Sequence, residues 1–221
     1  MSRKAYQSLL VVPAVIFLLL GRTSHAEFTL AIEDTNVIAG SESLTLEVGV
    51  TPVGSSAAFS DYILILEITP LTSTGDSTLR FLNEQSDDFL EDADYVFVGN
   101  SDVFNEGDSP VFSVTAEELV LEDLTADFAD AVFTERRLMA TFDIGHFLGT
   151  QSAASTVGDQ YQVSISNESD FGNQTGAPIF NFMTDPGTLT IVAIPEPAIA
   201  SMLMIGAMGF ATRRRRTNHR G

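Results

Sequence analysis

Apolar and polar residues alternate with a period of two along several stretches of the chain: Phe28 to Ile32, Leu44 to Val50, Tyr62 to Ile68, Val111 to Val114, Leu138 to Ile144, Tyr161 to Ile165 and Leu189 to Val192. That period sends successive side chains to opposite faces of an extended backbone, so each stretch predicts a β-strand. Turn-forming clusters separate them: Ala39-Gly40-Ser41, Thr51-Pro52 with Gly54-Ser55-Ser56, Ser73-Thr74-Gly75-Asp76, Gly107-Asp108-Ser109-Pro110 and Asp185-Pro186-Gly187. Short strands with frequent turns predict an all-β, antiparallel β-sandwich over residues 27–194. Within it, Tyr62-Ile63-Leu64-Ile65-Leu66 is apolar without interruption and predicts a central strand covered on both faces, although a short buried helix has the same pattern. Ala116 to Phe133 reads two ways. Leu119, Leu124, Phe128 and Ala131 make one face of a helix, or Leu119 to Leu121 and Ala126 to Phe128 are edge strands.

Outside this body the pattern changes. Arg3 and Lys4 precede an apolar run from Leu9 to Leu20, and Ser24-His25-Ala26 supplies small residues before a cleavage point between Ala26 and Glu27. A run of about 12 residues at about 1.5 Å each reaches roughly 18 Å, short of the roughly 30 Å of a bilayer core. Residues 1–26 therefore read as a signal peptide cut by signal peptidase rather than a membrane span.

The other end has three blocks. Pro195-Glu196-Pro197 fixes an extended backbone, Ala198 to Ala211 is uncharged and predicts a short hydrophobic helix over about 198–212, and Arg213, Arg214, Arg215 and Arg216 follow. Arginines beside an apolar segment stay in the cytoplasm, so the body lies on the outer side of the inner membrane, and residues 217–221 form a cytoplasmic end. These blocks, in this order, resemble the PEP-CTERM sorting tails of Gram-negative bacteria. The resemblance implies that an exosortase recognises Pro195, Glu196 and Pro197, and that the destination is the cell surface or an exopolysaccharide-rich extracellular matrix.

Charge sharpens the picture of the body. Residues 27–194 hold 29 of the 30 Asp and Glu against Arg80, Arg136 and Arg137 alone, a charge of −26. Nucleic-acid binding depends on Lys and Arg displacing counterions, so nucleic acid is excluded as a partner. The chain has no Cys, which removes disulfides, thiolate metal sites and cysteine nucleophiles. His146 is the one histidine in the body and follows a predicted strand, the place of a turn histidine; a Ser-His-Asp triad would have to use it. With a single histidine and no cysteine, a zinc site would rest on carboxylates, which zinc seldom uses.

Carboxylates are abundant in two clusters: Asp87, Asp88, Glu91, Asp92 and Asp94, then Asn100, Asp102, Asn105, Glu106 and Asp108. Calcium takes six to eight oxygens, so Asp87, Asp88, Asp92, Asp102 and Asp108 are its candidate ligands, although neither cluster has the spacing of an EF-hand loop. Asn167-Glu168-Ser169 and Asn173-Gln174-Thr175 fit the glycosylation acceptor pattern.

The succession Ser43 to Val50, Ser60 to Thr69, Arg137 to Ile144 and Gly158 to Ser166 is similar to cohesin-type and related carbohydrate-binding or jelly-roll sandwiches, without any residue-specific motif. No catalytic residue and no cofactor is assigned. The expectation is an exported, non-catalytic protein with a structural, adhesive or carbohydrate-binding role, exopolysaccharide among its partners. The alternative is a secreted polysaccharide hydrolase that uses paired carboxylates.

Overall fold

The computed structural model describes residues 27–194. Two sheets form the sandwich. The smaller contains β1 (Phe28–Ile32), β3 (Leu44–Pro52), β6 (Thr78–Phe81), β10 (Arg137–Phe147) and β13 (Phe182–Asp185), in the order β13-β1-β3-β10-β6. The larger contains β2 (Thr35–Ile38), β5 (Asp61–Thr72), β7 (Val111–Val114), β8 (Glu118–Leu124), β11 (Gln160–Ile165) and β14 (Gly187–Val192), in the order β2-β14-β11-β5-β8-β7. The short β12 (Asp170–Gly172) also pairs with β5, while β4 (Ala57–Phe59) and β9 (Ala131–Phe133) pair with each other. One α-helix, α1 (Asp102–Glu106), starts at Ser101, whose side chain accepts from Phe104 N, and ends at Gly107 with φ +74°.

Most pairs are antiparallel, as the alternation predicts, but β1 pairs with β13 and β2 with β14 in parallel. The chain enters along the smaller sheet, kinks at Glu33-Asp34 and continues in the larger one. Its last segment makes the same switch at Pro186, which has no N–H to give to a ladder. Gly187 is required there, since a Cβ would lie 2.7 Å from Ile32 Cγ2 and 3.0 Å from the carbonyl oxygens of Ile32 and Glu33. Asp34 Oδ1 accepts from Thr188 N at 2.7 Å and pins the two kinks together. Alternation specifies a strand but not its neighbour, so these parallel pairs were not readable from sequence.

The inward faces meet in one core, with Phe28, Leu30, Val48, Phe142 and Ile144 on one side and Tyr62, Leu64, Leu66, Leu119, Tyr161, Val163 and Leu189 on the other. Each large side chain so buried stabilises the fold by about 1.5–3 kcal/mol. At one end the core is aromatic. Phe59 lies 5.4–5.6 Å from Phe28, Phe97, Phe133 and Phe171, in tilted and edge-on contacts.

Two sequence expectations need correction. Tyr62 to Leu66 is a central strand, but only Tyr62, Leu64 and Leu66 are buried, and Ile63 is 41% exposed. Ala116 to Phe133 contains no helix. It holds β8, an interior strand rather than an edge, and β9, while Ala126 to Phe128 form a turn instead of a strand. A buried acid on the inward face, Asp123 beside Leu119 and Leu121, hides the period of two.

Candidate functional site

The outer face of the larger sheet is built by the residues that alternate with the core. On β5 these are Asp61, Ile63, Ile65 and Glu67; on β8, which lies alongside, they are Glu118, Val120, Glu122 and Leu124. Register sets Ile63 opposite Glu122 and Ile65 opposite Val120. At the edge, where the register shifts between Val111 and Ser113, Phe112 is 71% exposed. The result is an apolar strip bordered by carboxylates. None of the strands of this sheet contains a Lys, Arg or His.

Between the two sheets lies a groove of about 620 Å³. Ile179, Phe180 and Phe182 form one wall, while Asn167, Glu168, Asp170 and Thr184 supply polar groups. Phe180 is 80% exposed.

Two polar networks are sealed inside. Tyr95 Oη donates to Asp123 Oδ2 at 2.6 Å, so its only proton is used and the 3.1 Å contact with Tyr62 must have Tyr62 Oη as donor. Asp123 also accepts from the backbone N–H of Leu124 and Val103. Burial pushes its carboxyl above the ordinary carboxylate range, against the pull of Ser101, Tyr95 and these N–H groups. Burial likewise raises both tyrosine hydroxyls.

The second network centres on His146. Sequence places this residue after a strand, in a turn; it lies within β10 and is 3% exposed. Its Nδ1 accepts from Gly40 N at 2.9 Å, so the ring proton sits on Nε2 and is donated to Ser77 Oγ at 2.8 Å. Burial lowers the imidazole pKa, and the charge of Asp159 opposes that shift. A nucleophilic serine needs the reverse, a lone pair on the nitrogen that faces it. The Ser77-His146 pair therefore bridges the loop at Gly40 to the turn before β6 and does not activate Ser77.

The two acidic clusters come close to each other. Asp87, Asp88, Glu91 and Asp108 surround a small cleft of about 180 Å³ together with Leu90 and Phe104. Asp92 instead accepts from Asp94 N, and Asp102 lies in the first turn of α1. Among the described residues, no group of three or more His, Cys, Asp or Glu side chains is placed to hold a metal ion. The acceptor sequences at Asn167 and Asn173 both lie in turns next to β12. Pro195, Glu196, Pro197, Arg213, Arg214, Arg215, Arg216 and Ala26 lie outside the described residues. Glu27 is within them, its N–H donating to Asn181 O at 2.6 Å.

Sequence reasoning did not single out Tyr95, Asp123, Ser77, Phe112 or Phe180. The last two leave a trace, each standing two residues after a proline, Pro110 and Pro178.

No family model matches the chain, and no curated protein matches it either. Solved structures do. The sixth cohesin of Acetivibrio cellulolyticus scaffoldin B, in complex with a dockerin, is similar at 14% identity and TM-score 0.46, over 74% of this chain and 98% of that one. A type III cohesin module from a cell-surface anchoring scaffoldin of Ruminococcus flavefaciens is similar at 13% identity and TM-score 0.48, over 76% and 89%. A non-cellulosomal cohesin of Archaeoglobus fulgidus is similar at 10% identity and TM-score 0.43, over 76% and 92%. The chain is an all-β sandwich whose structural neighbours are cohesins.

Proposed function

We propose that this chain is an exported, non-catalytic binding module that takes up a partner protein on the outer face of its larger sheet. One observation carries the reading: Ile63 and Phe112 stand exposed on a face otherwise edged by Asp61, Glu67, Glu118 and Glu122, without any cation. An apolar strip ringed by one sign of charge is complementary to an apolar partner surface flanked by Lys and Arg, and the charge speeds and orients the encounter. The terminal segments supply the address. The signal at residues 1–26 takes the body out, and the Pro195-Glu196-Pro197 tail, with its apolar block and arginines, holds it at the inner membrane until an exosortase acts.

The test is photo-crosslinking in the native cells, with a benzophenone amino acid at position 63 or 112, and at Thr141 on the other sheet as control. Positions 63 and 112 are expected to trap the same protein, less of it as salt rises, while position 141 traps none. Equal trapping from both faces would refute the partner face. Replacing Pro195, Glu196 and Pro197 by Ala is expected to alter both destination and carboxy-terminal processing, and unchanged fractionation would refute the address.

A further inference from the structure

We infer that the groove between β12 and β13 is a binding subsite for an uncharged sugar unit, with Phe180 as its stacking platform. The groove adjoins the partner face through Asp170, which stands opposite Ile63, but its aromatic wall lies on the other sheet.

The backbone on both sides of Phe180 is anchored although its ring is exposed. On one side of it, Ile179 N donates to Phe171 O at 2.7 Å; on the other, Asn181 O accepts from Glu27 N at 2.6 Å. Pro178 is bridged to Gly172. The neighbouring wall is equally fixed, because the Phe182 ring lies 5.0 Å from that of Phe171 and is stacked 5.9 Å from that of Phe28. An exposed aromatic ring on an anchored backbone keeps apolar area in water and, having only two side-chain torsions, gives up little conformational entropy when a ligand covers it. Its cost is already present in the free protein.

The opposite wall has the contrary character. The side chains of Asn167 and Glu168, and of Thr184 beside Phe182 on β13, accept or donate no hydrogen bond within the described residues, and Asp170 is engaged only by its neighbour's amide, Phe171 N. Together they offer amide and hydroxyl donors and several acceptors along one side of a ring face. A pyranose presents the same two surfaces, a face of C–H groups that lies on an aromatic ring and a rim of hydroxyls that both donate and accept. The groove volume of about 620 Å³ falls in the range of roughly 300–1,000 Å³ common for small-molecule sites.

Charge narrows the class. Glu168 and Asp170 stand in the groove with no Lys, Arg or His among the lining residues, so phosphate, sulfate and uronate groups are repelled. A purely hydrocarbon ligand would cover the polar wall without pairing it, which is costly. A neutral sugar meets both walls.

The experiment is affinity electrophoresis of the full chain in non-ionic detergent, through gels containing hydroxyethyl cellulose, dextran or galactomannan, with alginate as the anionic control. At least one neutral polymer is expected to retard the chain, and alginate none. Phe180→Ala should weaken that association about fivefold to tenfold, the size of one aromatic contact, while Phe180→Trp retains it. Position 180 is solvent-facing, so melting temperature should not change. Asn167→Ala should weaken binding too, and Phe112→Lys, two strands away from β5 on β7, should leave it intact, which separates this groove from the partner face. Retardation by none of the three neutral polymers, or equal retardation of the Phe180→Ala chain, overturns the inference.

Discussion

Removing one hydroxyl from the centre of the sandwich tests how its sealed tyrosines and carboxylate work. In Tyr95→Phe, Asp123 loses the 2.6 Å donor, and Tyr62 loses the acceptor 3.1 Å away. Tyr62 Oη can turn only to Met139 O, at 3.5 Å, beyond a good hydrogen bond. A hydrogen bond to a charged group contributes about 1.5–3 kcal/mol and a neutral one about 1 kcal/mol, so the loss is about 2–4 kcal/mol. For a domain of this size about 1 kcal/mol shifts Tm by roughly 2–4 °C, which gives a fall of roughly 5–15 °C. Tyr62→Phe alone leaves Tyr95 bonded to Asp123 and should cost only about 1 kcal/mol. In the Tyr95→Phe background it should cost almost nothing, because the partner is already gone. Thermal unfolding followed by circular dichroism on the two single variants and the double variant closes the cycle. A Tm change under about 1 °C for Tyr95→Phe, or simple additivity of the two changes, would refute the relay from Tyr62 through Tyr95 to Asp123.

Other expectations follow from the same contacts. The pKa of His146 is lowered on folding, so the unfolded chain takes up the proton first; stability should be complete above about pH 6.5 and decline as pH falls below it, by up to about 1.4 kcal/mol per unit. His146→Gln should flatten that slope in urea titrations at pH 5, 6 and 8. Gly187→Ala forces a methyl against Ile32 and the carbonyl of Glu33, and urea unfolding should show a loss of about 1–3 kcal/mol. Phe128 has φ +57° and its side chain is 67% exposed, so Phe128→Gly should raise stability by about 1 kcal/mol, measured as a higher urea midpoint with unchanged slope.

Long strands with one wet face announced themselves in the sequence: β1, β3, β10, β11 and β14 each contain a stretch of clean alternation. The short pieces did not. The four residues of β2, β6 and β13 are too few to show a period, and their partners lie far away in the chain. β8 was obscured because a carboxylate occupies a core position, an arrangement made tolerable by Tyr95, 28 residues away, together with Ser101 and the N–H groups of Val103 and Leu124. His146 looked like a turn residue because its two partners, Gly40 and Ser77, are 106 and 69 residues away. The groove was invisible for a similar reason, since it exists only where the turn at residues 167–170 meets the strand that follows Pro178. Charge, by contrast, was legible at once, as it needs no register.

The side-by-side terminal strands have a mechanical meaning. From Phe28 beside Phe182 to Ile38 beside Val192 they run in the same direction, so the first described residue and the last leave from opposite ends of the sandwich. A pull between Glu27 and Ile194 is therefore directed along both strands. The rungs of each parallel ladder share that tension at the same moment instead of opening one after another as in a zipper. A body tethered at one end and gripped at the other would meet drag in its stiffest direction.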